Sequence, residues 1–383
     1  MSTHPKKEYL FRESEPTPLE IVDAKGTYLI AKNGKKYLDF MAGWCVGNAG
    51  WKKKEIRDAI RGFDGPEYVN PGHLYERWEV LAEKLVHLLP SKEGACFRAT
   101  GGTEAVELAL KISRAYNNRK KFIAFNGAYH GQSLACLALV RYPIHEKHFG
   151  KFPAEYLQVD AKNWEKTTHE TVKLIKSKEI SAFISEPIIC NLGVIIPPQE
   201  FFDSVQEACK ETETLFISDE VATGFGRTGK WFGFEHYNTD PDIVTMAKGF
   251  SSGYAAIGST IAKPEVAESM RFEFSNYSTF GWHPFSVEAA ISNIDYIKKH
   301  DLIEESNKSG GYLSKQLSEF CKPEGRGLCI GFEEKKAGTG QRCFEDGLII
   351  TMLEGRIALF PPLDVSKKEI DAAVKIIEKN YSK

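Results

Sequence analysis

The chain has 383 residues, 42% hydrophobic and 27% charged, with a formal net charge of −2; such a mix builds a large globular domain with a smaller one beside it. That balance argues against nucleic acid or an anionic membrane surface as the main partner, since either needs clustered excess Lys and Arg. Eight cysteines with no C-x-x-C pair predict reduced thiols in a reducing compartment, and the histidines do not join them at metal-ligand spacing, so no metal site is expected.

Residues 1–18 are polar and mixed in charge, with neither the apolar stretch of a signal peptide nor an Arg-rich transit pattern, so a soluble cytoplasmic protein is expected. From Leu19 to Phe40 short apolar stretches alternate with the turn pairs Lys25-Gly26 and Asn33-Gly34, which predicts a small antiparallel sheet. The middle of the chain alternates short apolar runs with longer amphipathic segments. Strands are predicted at Ala95–Ala99, Lys121–Phe125, Ala182–Ser185, Leu215–Ser218, Ile243–Ala247 and Gly258–Ala262, and helices at Thr103–Tyr116 and Gln199–Glu211. This alternation predicts an α/β domain with a mostly parallel sheet and helices on both faces. The longest fully apolar run, Leu134 to Val140, is far too short to span a membrane. After Pro284 a helix is predicted over Phe285–His300. Another covers Lys367–Lys379, where Ile370, Val374 and Ile377 line one face. The expected division is 1–50 as the N-terminal part of a small α+β domain, 51–284 as the large domain, and 285–383 as the C-terminal part of the small one.

Ligands of parallel sheets collect beyond the carboxyl ends of the strands, and several chemical residues fall there. Asp219 closes the run Leu215-Phe216-Ile217-Ser218; an acid so placed binds a ligand or caps a helix. Lys248 closes Ile243-Val244-Thr245-Met246-Ala247, with small residues after it and no acid within five positions. A lysine amine in a dry site attacks carbonyls, while the same residue on the surface does nothing of the kind. In Thr100-Gly101-Gly102-Thr103-Glu104 a strand ends, two glycines allow close backbone approach and a helix starts. Free amides there bind phosphate, although Thr103 as a simple cap reads equally well. Tyr129-His130-Gly131 follows the Lys121–Phe125 strand, where an aromatic could stack on a flat ligand or simply fill the core. Gly224-Phe225-Gly226-Arg227-Thr228-Gly229 matches G-x-G-x-x-G, but the bulky, glycine-broken Lys230-Trp231-Phe232-Gly233-Phe234 is a poor helix start, so the dinucleotide reading fails its context test.

Taken together, Asp219-Glu220-Val221-Ala222-Thr223-Gly224-Phe225-Gly226-Arg227-Thr228-Gly229 followed by Lys248 closely resembles the class III (omega-type) aminotransferases, pyridoxal phosphate (PLP) enzymes of fold type I. The resemblance runs across most of the chain, through Gly102-Thr103-Glu104-Ala105, Tyr129-His130-Gly131, Glu186-Pro187, Thr279-Phe280-Gly281 and Pro361-Pro362-Leu363. It implies a seven-stranded, mostly parallel sheet and PLP bound to Lys248 as an aldimine, with Lys248 also moving the substrate proton. Asp219 would pair with the pyridine nitrogen, and Val221 and Tyr129 would press on the two faces of the ring, with His130 counted among the cofactor's neighbours. Gly101, Gly102 and Thr103 would hold the phosphate, and Glu186 would shape the polar network. Thr279 would reach the phosphate of the neighbouring subunit, which implies a homodimer with shared sites. Trp44 resembles a substrate-pocket tryptophan of some members.

Four departures stand out. Ala222 replaces a Gln that in many members bonds the cofactor's phenolic oxygen. Ala358 stands where ornithine-type members carry the arginine that clamps the substrate carboxylate, and Arg356, two residues earlier on the same strand face, is either a displaced anchor or a solvated charge. Trp51 replaces a common His. The segment from Gly327-Leu328 to Pro361 is short for the family. Gly281-Trp282-His283-Pro284 resembles the pyruvate-using branch more than the ornithine branch.

The resemblance implies transfer of an amino group from an amino acid or ω-amine to a keto acid or aldehyde. A racemase, epimerase or aminomutase would share the same cofactor residues. A non-catalytic PLP-fold protein would be expected to have lost Lys248 or Asp219, and an NAD oxidoreductase rests on the glycine pattern alone.

Overall fold

The computed structural model describes Tyr9, Phe11, residues 19–353 and residues 355–381. Its centre is a seven-stranded sheet in the order Ala95–Ala99, Gly258–Ala262, Ile243–Met246, Leu215–Asp219, Ile180–Ser185, Lys121–Phe125, Tyr156–Val159. Every residue of Ile180–Ser185, Leu215–Asp219, Ile243–Met246 and Gly258–Ala262 is buried. Strands covered on both faces have no solvent side and so read as unbroken apolar runs. Gly258–Ala262 alone runs against its neighbours, pairing antiparallel with both Ala95–Ala99 and Ile243–Met246. The link from Met246 to Gly258 holds only the short turn Lys248–Phe250. A parallel return needs a crossover of a dozen or more residues, usually helical, so this strand must turn back.

The six expected strands and both expected helices of this domain are present, the helices as Gly102–Asn117 and Gln199–Thr212. The edge strand Tyr156–Val159 lay outside the sequence reading, because Tyr156-Leu157-Gln158 is only half buried and carries no long apolar run. The helices Glu76–Val86, Trp164–Lys176 and Leu302–Leu317 are likewise additions.

The strands Ile21–Lys25, Tyr28–Ala31 and Lys36–Asp39 form the expected antiparallel meander. Leu348–Ile349 joins it in parallel beside Lys36–Asp39, so both ends of the chain share one sheet. A further sheet has the order Glu324–Arg326, Cys329–Glu333, Arg356–Leu359, Thr351–Leu353. The final helix, Lys367–Tyr381, packs its apolar stripe of Ile370, Ala373, Val374 and Ile377 into the core.

The glycine-rich segment from Gly224 to Gly229 opens no helix. It carries Arg227, whose fully buried guanidinium donates to the carbonyls of Leu328 (3.0 Å) and Pro361 and to Asn48 Oδ1 at 2.8 Å. Asn48 returns two bonds, from Nδ2 to the carbonyls of Gly224 (3.1 Å) and Phe225 (2.9 Å). The segment therefore ties the amino-terminal and carboxy-terminal parts of the chain to the large sheet. No helix among the described residues is long and apolar enough to cross a membrane.

Candidate active site

Five strand ends of the large sheet meet at one cavity of about 490 Å³. Asp219 ends its strand, Lys248 and Glu186 follow theirs, Tyr129 and His130 follow Lys121–Phe125, and Gly102 and Thr103 follow Ala95–Ala99. All of these, with Trp44 and Val221, line the cavity. Gly101, Thr279 and Arg356 do not.

Asp219 is buried, so its charge must be met by donors. Oδ1 accepts the Val221 N–H at 3.1 Å and the Thr245 hydroxyl at 3.0 Å, and Oδ2 faces His130 Nδ1 at 2.7 Å. His130 is itself buried, and its Nε2 has no hydrogen-bond partner among the described residues. The imidazole thus reaches the cavity mainly as a clamp on the carboxylate.

Lys248 sits at φ +46°, in the left-handed region that non-glycine residues seldom occupy. Its ammonium lies 6.0 Å from the centre of the Tyr129 ring and makes no ion pair or hydrogen bond among the described residues. Glu186 closes another side. Its Oε2 accepts the Cys190 N–H at 3.1 Å and its Oε1 approaches the Tyr129 N–H at 3.5 Å. Burial pushes its carboxyl up to about 7. The Asp219 charge adds to that rise, while His130 and Lys248 oppose it. Glu220, the neighbour of Asp219, turns away from the cavity. It accepts the N–H groups of Gly233 (2.7 Å) and Phe234 (2.9 Å), an end-cap for a short 3₁₀ turn.

The helix Gly102–Asn117 begins at this cavity with no side chain capping it. Glu104 folds back to take the Thr100 N–H at 2.7 Å and hydroxyl at 2.6 Å, leaving the first-turn amides of Gly102 and Thr103 to face an anion. The cradle leaves little room for a side chain at two points. A Cβ on Gly131 would lie 2.6 Å from Thr103 Oγ1 and 3.0 Å from its Cα, and one on Gly102 would lie 3.0 Å from Val221. A flat, anionic ring with a phosphate at one end and a basic nitrogen at the other fits these donors, this carboxylate and this lysine. No group of three or more His, Cys, Asp and Glu suited to a metal occurs among the described residues.

Trp44 is presented by an unusual backbone. Ala42, Gly43, Trp44 and Cys45 all have positive φ, at 47°, 62°, 65° and 60°. Such a left-handed turn costs roughly 1–2 kcal/mol for each non-glycine residue. Asp39 holds it, with Oδ1 accepting the N–H groups of Met41 (3.1 Å) and Ala42 (2.8 Å) and Oδ2 accepting Trp51 Nε1–H at 3.1 Å. The Trp51 ring packs so close to Gly47 that a Cβ there would stand 2.8 Å away. Trp51, where the family commonly has His, is thus a wedge that fixes the turn.

The sequence reading missed Cys45, Gln132, Cys190, Asn191 and Phe360 as lining residues, while Ala222, read as standing at a cofactor-contact position, does line the cavity. Phe360 carried a signal, since it directly precedes Pro361-Pro362. Cys190 and Asn191 lie on a short 3₁₀ turn that no pattern announces. Thr279 is exposed and does not line the cavity of its own chain. Arg356, read from the sequence as either a displaced anchor or a solvated charge, lies outside the cavity lining. Its Nε donates to the Gly193 carbonyl at 2.9 Å and its Nη2 pairs with Glu324 at 2.7 Å, because Gly193 lets the side chain lie flat against the backbone.

The chain matches the Aminotransferase class-III family over residues 9–380. It is 34% identical over 392 residues to the acetylornithine aminotransferase of Archaeoglobus fulgidus, spanning 97% of this chain and 98% of that protein. The gamma aminobutyrate transaminase 3 of Solanum lycopersicum is 30% identical, across 93% of this chain and 79% of the relative. An aminotransferase structure from Bacillus anthracis superposes with a TM-score of 0.90 at 30% identity, covering 98% of this chain and 96% of that one. A transaminase structure from the marine bacterium Virgibacillus gives 0.92 at 26% identity, covering 98% and 97%.

Proposed function

We propose that this chain, which belongs to the class-III aminotransferase family, holds PLP covalently on Lys248 and works as a homodimer whose two sites are each completed by the other subunit. Family membership makes it a PLP-dependent aminotransferase, which moves an amino group from a donor to a carbonyl acceptor. The observation that carries the residue assignment is the placing of an unpaired lysine and a donor-saturated buried carboxylate after adjacent parallel strands, at one cavity.

When bound, PLP holds the substrate nitrogen covalently and draws electrons from the carbon beside it. Asp219 would accept a hydrogen bond from the protonated pyridine nitrogen, and His130 and Thr245 hold its carboxylate in place. Gly101, Gly102 and Thr103 bind the phosphate through backbone amides and the Thr103 hydroxyl. Tyr129 and Val221, which both line the cavity, would supply surfaces for the ring. Lys248 Nζ takes the proton from the donor's amine-bearing carbon and returns it to the acceptor's. Glu186, poised near neutrality, adjusts the charge around this network.

Support for the dimer comes from exposed apolar side chains around Thr279. Phe272, Phe274, Tyr277 and Phe280 are 59%, 85%, 60% and 61% exposed, and Tyr68 meets the Phe280 ring at 6.1 Å. A soluble monomer seldom leaves so much aromatic surface in water. Thr279 amid this surface would enter the partner's phosphate site. On the same reading the chain divides into 1–50, 51–284 and 285–383, with both termini building the small domain, and works in the cytoplasm, where its eight free cysteines stay reduced.

The donor is an amino acid or ω-amine and the acceptor a keto acid or aldehyde, a range that the names of the acetylornithine and gamma aminobutyrate relatives fit. The test is the absorption spectrum of the purified holoenzyme with a panel of donors and no acceptor. Loss of the visible band to a near-ultraviolet one identifies a donor. A band that never converts, while the optical rotation of an amino acid decays, replaces transamination with isomerisation.

A further inference from the structure

Glu104 stands at a junction between two turns that bear on the cofactor. Its carboxylate takes the Thr100 N–H at 2.7 Å and the Thr100 hydroxyl at 2.6 Å, and so shapes the turn Thr100-Gly101-Gly102 at the phosphate end of its own cavity. It also accepts a hydrogen bond from the Ser278 hydroxyl, in a distant part of the chain. Burial would raise this carboxyl, yet the Thr100 and Ser278 donors outweigh it and hold the acid below its ordinary value. The Thr100 bonds are those of an ordinary helix end-cap. The Ser278 bond goes beyond one.

Ser278 is the neighbour of Thr279, the exposed residue read above as entering the partner's phosphate site. The turn that carries both is bound to the same end of the sheet by contacts that do not involve Glu104. Trp282 Nε1–H donates to the Gly258 carbonyl at 2.9 Å, and the Trp282 carbonyl accepts Trp78 Nε1–H at 2.7 Å. Gly258 lies against Gly101, where a Cβ on it would stand 2.5 Å from the Gly101 carbonyl oxygen. Gly281 lies against the backbone of Arg98, where a Cβ would stand 3.1 Å from the carbonyl carbon and 2.7 Å from Ser278 Oγ. The phosphate turn of one site and the turn that carries Thr279 are thus packed as one piece. Close backbone packing and Trp282 fix it on one side, and Glu104 ties it on the other.

We propose that Glu104 is a positioning residue for both cofactor sites of the dimer: through Thr100 it sets the amides that meet the phosphate in its own subunit, and through Ser278 it holds Thr279 where it meets the phosphate in the partner. The inference rests on the shared-site dimer proposed above. Loss of Glu104 in one subunit then loosens PLP in the other, a coupling between sites that a residue capping only its own helix does not produce.

The test uses hybrid holoenzyme dimers of two differently tagged subunits, of which only one keeps Lys248 and the other carries Lys248→Ala. One site then gives the visible band, and loss of that band on dilution reports PLP retention at that site alone. Glu104→Ala in the Lys248→Ala subunit is expected to speed the loss about fivefold, although the reporting subunit keeps its own Glu104. Ser278→Ala is expected to speed it about threefold from the Lys248→Ala subunit and to leave it unchanged from the reporting subunit. Once Thr279→Ala is present in the Lys248→Ala subunit, adding Glu104→Ala there is expected to change nothing more, because the two act through one contact. If Glu104→Ala acts only from the reporting subunit while Thr279→Ala acts from the other, the proposal is overturned and Glu104 is a helix cap. Should Glu104→Ala prevent assembly, the Ser278→Ala placements decide, and no effect from the Lys248→Ala subunit overturns the proposal. If Thr279→Ala in the Lys248→Ala subunit has no effect, the shared-site dimer itself fails, so the two failures are distinguishable.

Discussion

Replacing Glu186 with Gln removes a titrating charge from the centre of the site, and the consequence for stability can be worked out with its sign. In the folded chain burial raises the carboxyl to about 7 from an ordinary value of 4.5. Below 4.5 the group is protonated whether folded or not, and it costs nothing. Between 4.5 and 7 the unfolded chain releases the proton and the folded chain keeps it, so stability falls as pH rises. Above 7 the loss is complete. Each pH unit between the two values corresponds to about 1.4 kcal/mol, so the wild-type apoprotein should lose roughly 2–3 kcal/mol from this group between about pH 5 and pH 8. Gln cannot titrate, and the loss should vanish in the variant. Glu220, also raised to about 7 by burial, contributes equally to both proteins and cancels in the comparison. Gln also turns an amide toward the N–H of Cys190 or Tyr129, a pH-independent penalty of about 1 kcal/mol. The pH slope is therefore the informative quantity. Urea unfolding of the two apoproteins at matched concentration across this range measures it. Parallel slopes would refute a buried, proton-holding Glu186.

Three further outcomes follow from the packing. Gly131→Ala drives a Cβ against Thr103 at φ +126°, and PLP retention, followed by visible absorbance on dilution, should weaken by about tenfold or more. Asn48→Ala strips one bond from buried Arg227 and one each from the Gly224 and Phe225 carbonyls. It should cost about 3–5 kcal/mol in urea unfolding, and a loss under about 1 kcal/mol would contradict the tie. Arg356→Ala should lower stability by about 1 kcal/mol while leaving the apparent affinity for acidic donors unchanged, as spectral titration would show.

Much of this was legible because the chemistry sits where sequence patterns end. Asp219 and Lys248 each close a buried strand, and the Gly101-Gly102-Thr103 turn opens a helix, so strand boundaries located the site. The role of His130 was not legible, because only the fold brings it within 2.7 Å of a carboxylate 89 positions away. The reversed direction of Gly258–Ala262 was equally hidden, since a buried strand reads the same either way. The choice between the two readings of Arg356 was hidden for a related reason. Alternation along a strand fixes its face, but its partner Glu324 comes from elsewhere in that sheet region. Trp51 looked like a simple departure from the family, yet its ring and its bond to Asp39 hold the left-handed turn that presents Trp44.

The central claim is that Lys248 carries the cofactor, and borohydride reduction of the purified yellow protein followed by peptide mapping tests it most directly. The account predicts that the cofactor mass is fixed on the peptide containing Lys248, and that Lys248→Ala yields no fixed label and no donor-dependent loss of the visible band. Label on another lysine, or an unlabelled Lys248 peptide from a protein that still converts its band with a donor, would contradict it.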